Sequence, residues 1–235
     1  MIALFYSSVG FGGGSSYLAA LSISEIPYSY IPKIGLICNL LVVTSGSIIY
    51  YRKGFFNQKL IFPFVFTSVP MAFLGGLYPI KESTFVLILS FSLILSGLRL
   101  LFINDTSDHH ERLPSLKLSL PLGGGIGLLS GLVGLGGGIF LSPILMNLKW
   151  GKPKEVAAAA SFFIFLNSLA GLCGQFFKDP NLNALNYWPL FLAVIFGGQI
   201  GSRVGSSNRV PQVMVQRGTA VLILIISGRL LWTAF

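Results

Sequence analysis

The sequence predicts an all-α, polytopic membrane protein made of two homologous repeats, inverted relative to each other. Three observations carry that reading. First, 53% of the 235 residues are hydrophobic and only 10% are charged, against roughly a quarter charged in soluble domains. A soluble chain of this size has no means of burying that much apolar surface. Second, apolar runs recur at Ile34 to Ile49, Phe85 to Leu98, Val156 to Phe177, Tyr187 to Ile200 and Val221 to Phe235. Several approach the roughly 18 to 20 residues that span a bilayer. Third, one glycine-rich stretch occurs twice, 124 residues apart: Val9-Gly10-Phe11-Gly12-Gly13-Gly14 and Val133-Gly134-Leu135-Gly136-Gly137-Gly138. The alternating strands of about 10 residues that a membrane β-barrel requires are absent.

Each repeat is expected to hold one Gly-broken helix, re-entrant or discontinuous, plus three transmembrane helices. Residues 1–103 form the first repeat, 104–117 a polar linker and 118–235 the second repeat. Each helical Gly costs roughly 1 kcal/mol against Ala. At membrane depth, broken backbone is tolerated only where it faces protein or water, so both glycine runs are expected to interrupt helices and line a site. No basic region precedes the first apolar run, so no cleavable signal peptide is expected.

In order, residues 1–22 hold the first break, and Ile26-Pro27 and Ile31-Pro32 punctuate a short connection. Pro32 suits the first turn of a helix running to about Tyr51, before the basic residues Arg52, Lys53 and Lys59. A third segment covers about 60–77 and carries Pro70 and Gly75-Gly76; a fourth covers about 84–102. The linker, Asn104-Asp105-Thr106-Ser107-Asp108-His109-His110-Glu111-Arg112, is the strongly polar run. Residues 118–148 surround the second break, and a single helix of that length would be ~46 Å long, too long for a simple crossing. Segments at about 155–177, 184–202 and 212–233 complete the chain.

The duplication extends beyond the glycines. Asn39 and Gly46 share the spacing of Asn167 and Gly174, Pro32-Lys33 matches Pro153-Lys154, and Ser96-Gly97 matches Ser227-Gly228. One copy per half is the pattern of transporter folds.

The net charge of +9 does not point to nucleic acid, because the cations fall between apolar runs, where the positive-inside rule accounts for them. If every segment crosses, the 16 Lys and Arg divide evenly between the two sides. If each Gly-broken segment dips in and returns, only Lys33, Lys81, Lys178 and Arg229 lie on one side and the rest on the other. The second pattern fits the rule far better, giving six crossings, two re-entrant elements and both termini outside. Misplaced boundaries are the competing account.

Candidate binding residues follow from the breaks. A half-helix starting at mid-depth presents free N–H groups and a positive dipole end, which favour an anion. Gly12, Gly13, Gly14, Gly136, Gly137 and Gly138 let backbone approach a ligand, and Ser15 and Ser16 add hydroxyls in the first copy only. Close helix packing through small residues is the alternative. Neither copy continues as a phosphate-binding Gly-Lys-Ser/Thr loop. Asn39 and Asn167 are amides within apolar helices, where polar side chains face a bundle interior or a cavity; an interhelical hydrogen bond is their plainer role. Cys38 and Cys173 occupy near-equivalent places, either contacting a sulfur compound or filling space as small buried side chains. Gln199 and Arg203 stand at an anion vestibule, or Arg203 snorkels to the surface. The linker's Asp, His and Glu are too crowded in sequence for one coordination sphere, and no metal or other cofactor is expected. Glu155 reads as a first-turn charge, and no Asp or Glu lies deep in a helix to relay protons. Ser130 has no His at depth to act as a base, so no enzyme is expected.

The two glycine runs, the second continuing as "GLVGLGGGIFLSPILM", together with the duplicated halves, resemble the sulfite exporter family of the TauE/SafE type. The resemblance covers nearly the whole chain and is most specific over 130–146; Ala19 stands in the first half where Pro143 falls in the second. It implies a multi-pass permease of the cell inner (plasma) membrane moving a small sulfur-containing anion: sulfite, a sulfonate or a related oxyanion. A passive channel and a membrane scaffold are the other readings, and a homo-oligomer is left open.

Overall fold

The computed structural model describes residues 14, 17–18, 21, 26–101, 114–181, 187–205, 217–218, 220–221, 224–225, 227–228 and 231–232. Among them lie seven continuous helices and no strand: α1 (Ile31–Arg52), α2 (Gln58–Leu77), α3 (Glu82–Leu101), α4 (Leu116–Val133), α5 (Gly138–Asn147), α6 (Pro153–Lys178) and α7 (Trp188–Gly205). By length and composition α1, α2, α4 and α6 can each cross a membrane. The outward faces carry Phe66, Phe91, Phe196 and Leu95, a surface suited to lipid rather than water.

Local sequence sets the helix ends. Pro32 lies in the first turn of α1, where its missing N–H costs nothing. Asn57 caps α2 by accepting from the Lys59 N–H at 3.2 Å. Glu155 accepts from the Lys152 N–H at 3.1 Å, which fulfils its expected first-turn role at the start of α6.

Small residues set the packing. Gly123, Gly127 and Gly131 recur every four residues and form one ridge of α4. A Cβ on Gly127 would strike the Ser68 backbone of α2, and one on Gly131 would strike the Ala72 carbonyl. Gly76 of α2 and Gly174 of α6 approach each other's backbones in the same way. The helices α2, α4 and α6 thus meet backbone to backbone, as small residues allow in membranes. Thr67 of α2 donates to the Leu120 carbonyl of α4 at 2.7 Å, and Gln175 of α6 donates to the Gly131 carbonyl at 3.0 Å.

Two directions matter for the site. Helices α1 and α6 run antiparallel: Lys33 near the start of α1 pairs with Asp179 just past the end of α6, and Tyr50 packs on Ala157 and Ala158. Helices α2 and α4 run in the same direction, but α5 turns back, so that Trp150 stacks near Phe64, 6.1 Å between ring centroids. The second glycine run therefore reverses the chain.

Candidate functional site

The reversal is built by glycines in a conformation other residues avoid. Gly134 ends α4 with φ 86°, its N–H donating to the Ser130 carbonyl at 2.8 Å. Gly136 and Gly137 have φ 74° and 81°, and Gly137 is the N-cap of α5. A side chain in this left-handed region costs about 1–2 kcal/mol. The helical glycines of α4 serve packing; these serve the turn. Within α5 the Phe140 and Leu141 N–H groups donate to the Gly137 carbonyl at 3.1 and 3.2 Å, while the first N–H groups of the helix have no intrahelical acceptor.

Asn39, fully buried on α1, lies against this turn. Its Nδ2 donates to the Gly134 carbonyl at 3.4 Å, and its Oδ1 has no hydrogen-bond partner. A Cβ on Gly136 would stand 2.8 Å from Asn39 Nδ2 and 3.0 Å from Ser168 Oγ, another buried polar atom without a partner. A Cβ on Gly14 would stand 2.6 Å from Asn39 Nδ2 and 2.9 Å from the Leu135 carbonyl. Gly14 of the first run and Gly136 of the second, far apart in sequence, thus meet on one asparagine. Ile164 and Phe163 of α6 press on Gly138 and Gly137 and give the spot an apolar wall.

The other expected residues divide. Asn167 is buried, but its Nδ2 donates to the Phe163 carbonyl of its own helix at 2.8 Å; its Oδ1 is unpartnered. Cys38 is buried in the core with Leu18, Leu21 and Val42, whereas Cys173 is exposed. Gln199 and Arg203 are exposed on α7. Gly12, Gly13, Ser15, Ser16 and the linker's acidic and histidine residues lie outside the described residues. No cluster of metal-ligating side chains occurs among the described residues.

Sequence reading missed three groups. Ser168, next to Asn167, was hidden because a serine in a helix normally bonds back to its own backbone. Gln175 stands out only once Gly131 faces it. Lys33 was read as a cation on one side of the membrane and as the match of Lys154, yet it is fully buried: its Nζ donates to Asp179 Oδ2 at 2.8 Å and to the Asn181 carbonyl at 3.0 Å. The rings of Tyr30 and Phe176 lie 5.6 and 5.9 Å from Nζ, within cation–π range. The Lys33 ammonium holds the Asp179 carboxyl below the ordinary carboxylate range, helped by the Asn181 N–H. A lysine one residue after a helix-starting proline, opposite an aspartate one residue after a helix end, was the available signal.

Chemically, the turn combines helix-start N–H groups without intrahelical acceptors, an amide and a hydroxyl inside an apolar shell. That set suits a small anion. Comparison with known proteins agrees with a membrane function. Over 239 residues the chain is 32% identical to "Probable membrane transporter protein y4hK" of Sinorhizobium fredii (strain NBRC 101917 / NGR234), covering 99% of this chain and 95% of the relative. It is 24% identical over 248 residues to "Probable membrane transporter protein YunE" of Bacillus subtilis (strain 168), covering 93% and 90%. No solved structure matches. The model of the family Sulfite exporter TauE/SafE matches residues 1–230, and the chain belongs to that family, one of multi-pass membrane transporters rather than enzymes.

Proposed function

We propose that the protein carries a small sulfur-containing oxyanion, sulfite or a short sulfonate, across the cell inner membrane. The anion binds where Gly14, Asn39, Gly136 and Ser168 converge at the start of α5. The observation that carries this reading is the buried convergence of Gly14 and Gly136 on the Asn39 amide nitrogen, with the Ser168 hydroxyl beside it and without a hydrogen-bond partner. The donors there are fixed in advance, so an anion that loses its water meets replacements without reorganising the protein.

The division into repeats at 1–103 and 118–235 belongs to the same proposal. The opposed directions of α1 and α6 and the chain reversal at the second glycine run support inverted halves. Rocking of one half against the other would then expose the site to each side in turn.

The test is flux of sulfite and of a small sulfonate into proteoliposomes, with and without a proton gradient. Flux of at least one of the two anions is the expected result, and accumulation above equilibrium under the gradient would add proton coupling to it. Flux that only equilibrates would replace the carrier with a uniporter, and no flux of either anion would remove the cargo.

A further inference from the structure

Outside the glycine turn, a cavity of about 420 Å³ opens along the edge of the seam between α1 and α6. Thr44, Ile48, Tyr51, Phe56 and Phe162 line it, and Arg52 stands at its end. Its walls are overwhelmingly apolar. Three of its rings form a continuous strip: Tyr51 and Phe56 lie 5.7 Å apart between centroids, and Phe56 and Phe162 lie 5.0 Å apart. A small hydrated oxyanion gains nothing from such walls, so this is no vestibule for the cargo proposed above.

The position and charge point to a different occupant. Thr44, Ile48 and Tyr51 are exposed on the outer flank of α1, so the groove faces the surrounding bilayer and not the Asn39 side of the helix. Arg52 is exposed and makes no ion pair with any described residue. Lys154 lies at the same end, its Nζ 5.2 Å from the Phe55 ring. An apolar slot ending in an exposed guanidinium at a cation-rich helix end complements one molecule class: an acyl chain carrying an anionic headgroup.

We propose that this groove is a site for an anionic phospholipid, with one acyl chain along Ile48, Phe56 and Phe162 and the phosphate on Arg52. The lipid would fill the edge of the seam between α1 and α6. This inference stands apart from the identity of the transported anion.

Thermal unfolding of the purified full-length chain in a neutral detergent tests it. The additives are phosphatidylglycerol, phosphatidylcholine with the same acyl chains, and soluble glycerol phosphate. Phosphatidylglycerol is expected to reach half-maximal stabilisation at about fivefold lower concentration than phosphatidylcholine, the factor for one surface cation. Arg52→Gln, an exposed change, should erase that preference. Thr44→Trp, which fills the groove from its exposed rim, should weaken both lipids. Equal effects of the two lipids on the wild type would overturn the proposal, as would a preference that survives Arg52→Gln. Stabilisation by glycerol phosphate equal to that by the lipid would show a free-anion site instead.

Discussion

Helices α1 and α6 carry the same signals in sequence and use them differently. Asn39 of α1 reaches across to the glycine turn, whereas Asn167 of α6 bonds back to its own helix at Phe163. Cys38 is buried and Cys173 is exposed. Lys33 is buried in an ion pair with Asp179, while Lys154 rests over the Phe55 ring. The matched residues therefore meet different surroundings, and their position relative to the second glycine turn separates the two asparagines. Asn39 faces that turn.

The strongest way to break the contrast is to remove the turn. Gly136→Leu places a side chain at φ 74° among Asn39, Ile164 and Ser168. Left-handed strain of about 1–2 kcal/mol adds to overpacking of about 1–3 kcal/mol. Flux should be lost and the thermal midpoint should fall; a stable, fully active Gly136→Leu protein would refute close backbone approach at this point.

The asparagines come next. Asn39→Leu should lower flux at least about tenfold, the loss of roughly 1.4 kcal/mol of anion interaction, with the fold retained by size-exclusion profile. Asn167→Leu should change flux less than about threefold, since it removes a bond within one helix that is worth roughly 1 kcal/mol or less. Equal losses in the two mutants would restore the symmetrical role that the sequence suggests.

The lysines sharpen the contrast through stability. Asp179→Asn leaves a buried ammonium without its counter-charge. Breaking a fully buried pair costs about 3–5 kcal/mol, and because the Asp179 side chain is 34% exposed the expected cost is nearer 1–3 kcal/mol. Lys154→Ala should cost under about 1 kcal/mol. The same pair sets a pH dependence. Asp179 has a folded pKa below its unfolded value, so its contribution is complete above the unfolded value of about 3.9 and disappears as pH falls through the folded one. The difference in stability between wild type and Asp179→Asn should therefore shrink when unfolding is measured at pH 3 instead of pH 7. The smallest effect concerns the thiols: a water-soluble maleimide should label Cys173 in detergent and leave Cys38 unmodified until the protein unfolds.

Much of the fold was legible because hydropathy and proline reveal membrane helices directly. The expected 60–77 segment is Gln58–Leu77 and the expected 155–177 segment is Pro153–Lys178. The break after Val133 was legible for a local reason: consecutive glycines mark backbone that a helix interior does not favour. The site was only half legible. Spacing identified Asn39 and Asn167 as a pair, but which amide meets the turn depends on how α1 and α6 pack against it, and the close contacts that set this, Gly35 of α1 with the Gly134 carbonyl and Gly138 with Ile164 of α6, join residues far apart in sequence. Lys33 escaped for a similar reason, since its partner Asp179 lies 146 residues away and meets it only once α1 and α6 pack antiparallel.

The most direct measurement is stabilisation of the purified protein by the anion that flux selects, compared among wild type, Asn39→Leu and Asn167→Leu. At about one hundred times its dissociation constant, a ligand confined to the folded state adds roughly 2.7 kcal/mol. The anion should raise the unfolding midpoint of wild type and of Asn167→Leu, and leave Asn39→Leu unmoved. Full stabilisation of Asn39→Leu would contradict a site built on Asn39 and the glycine turn.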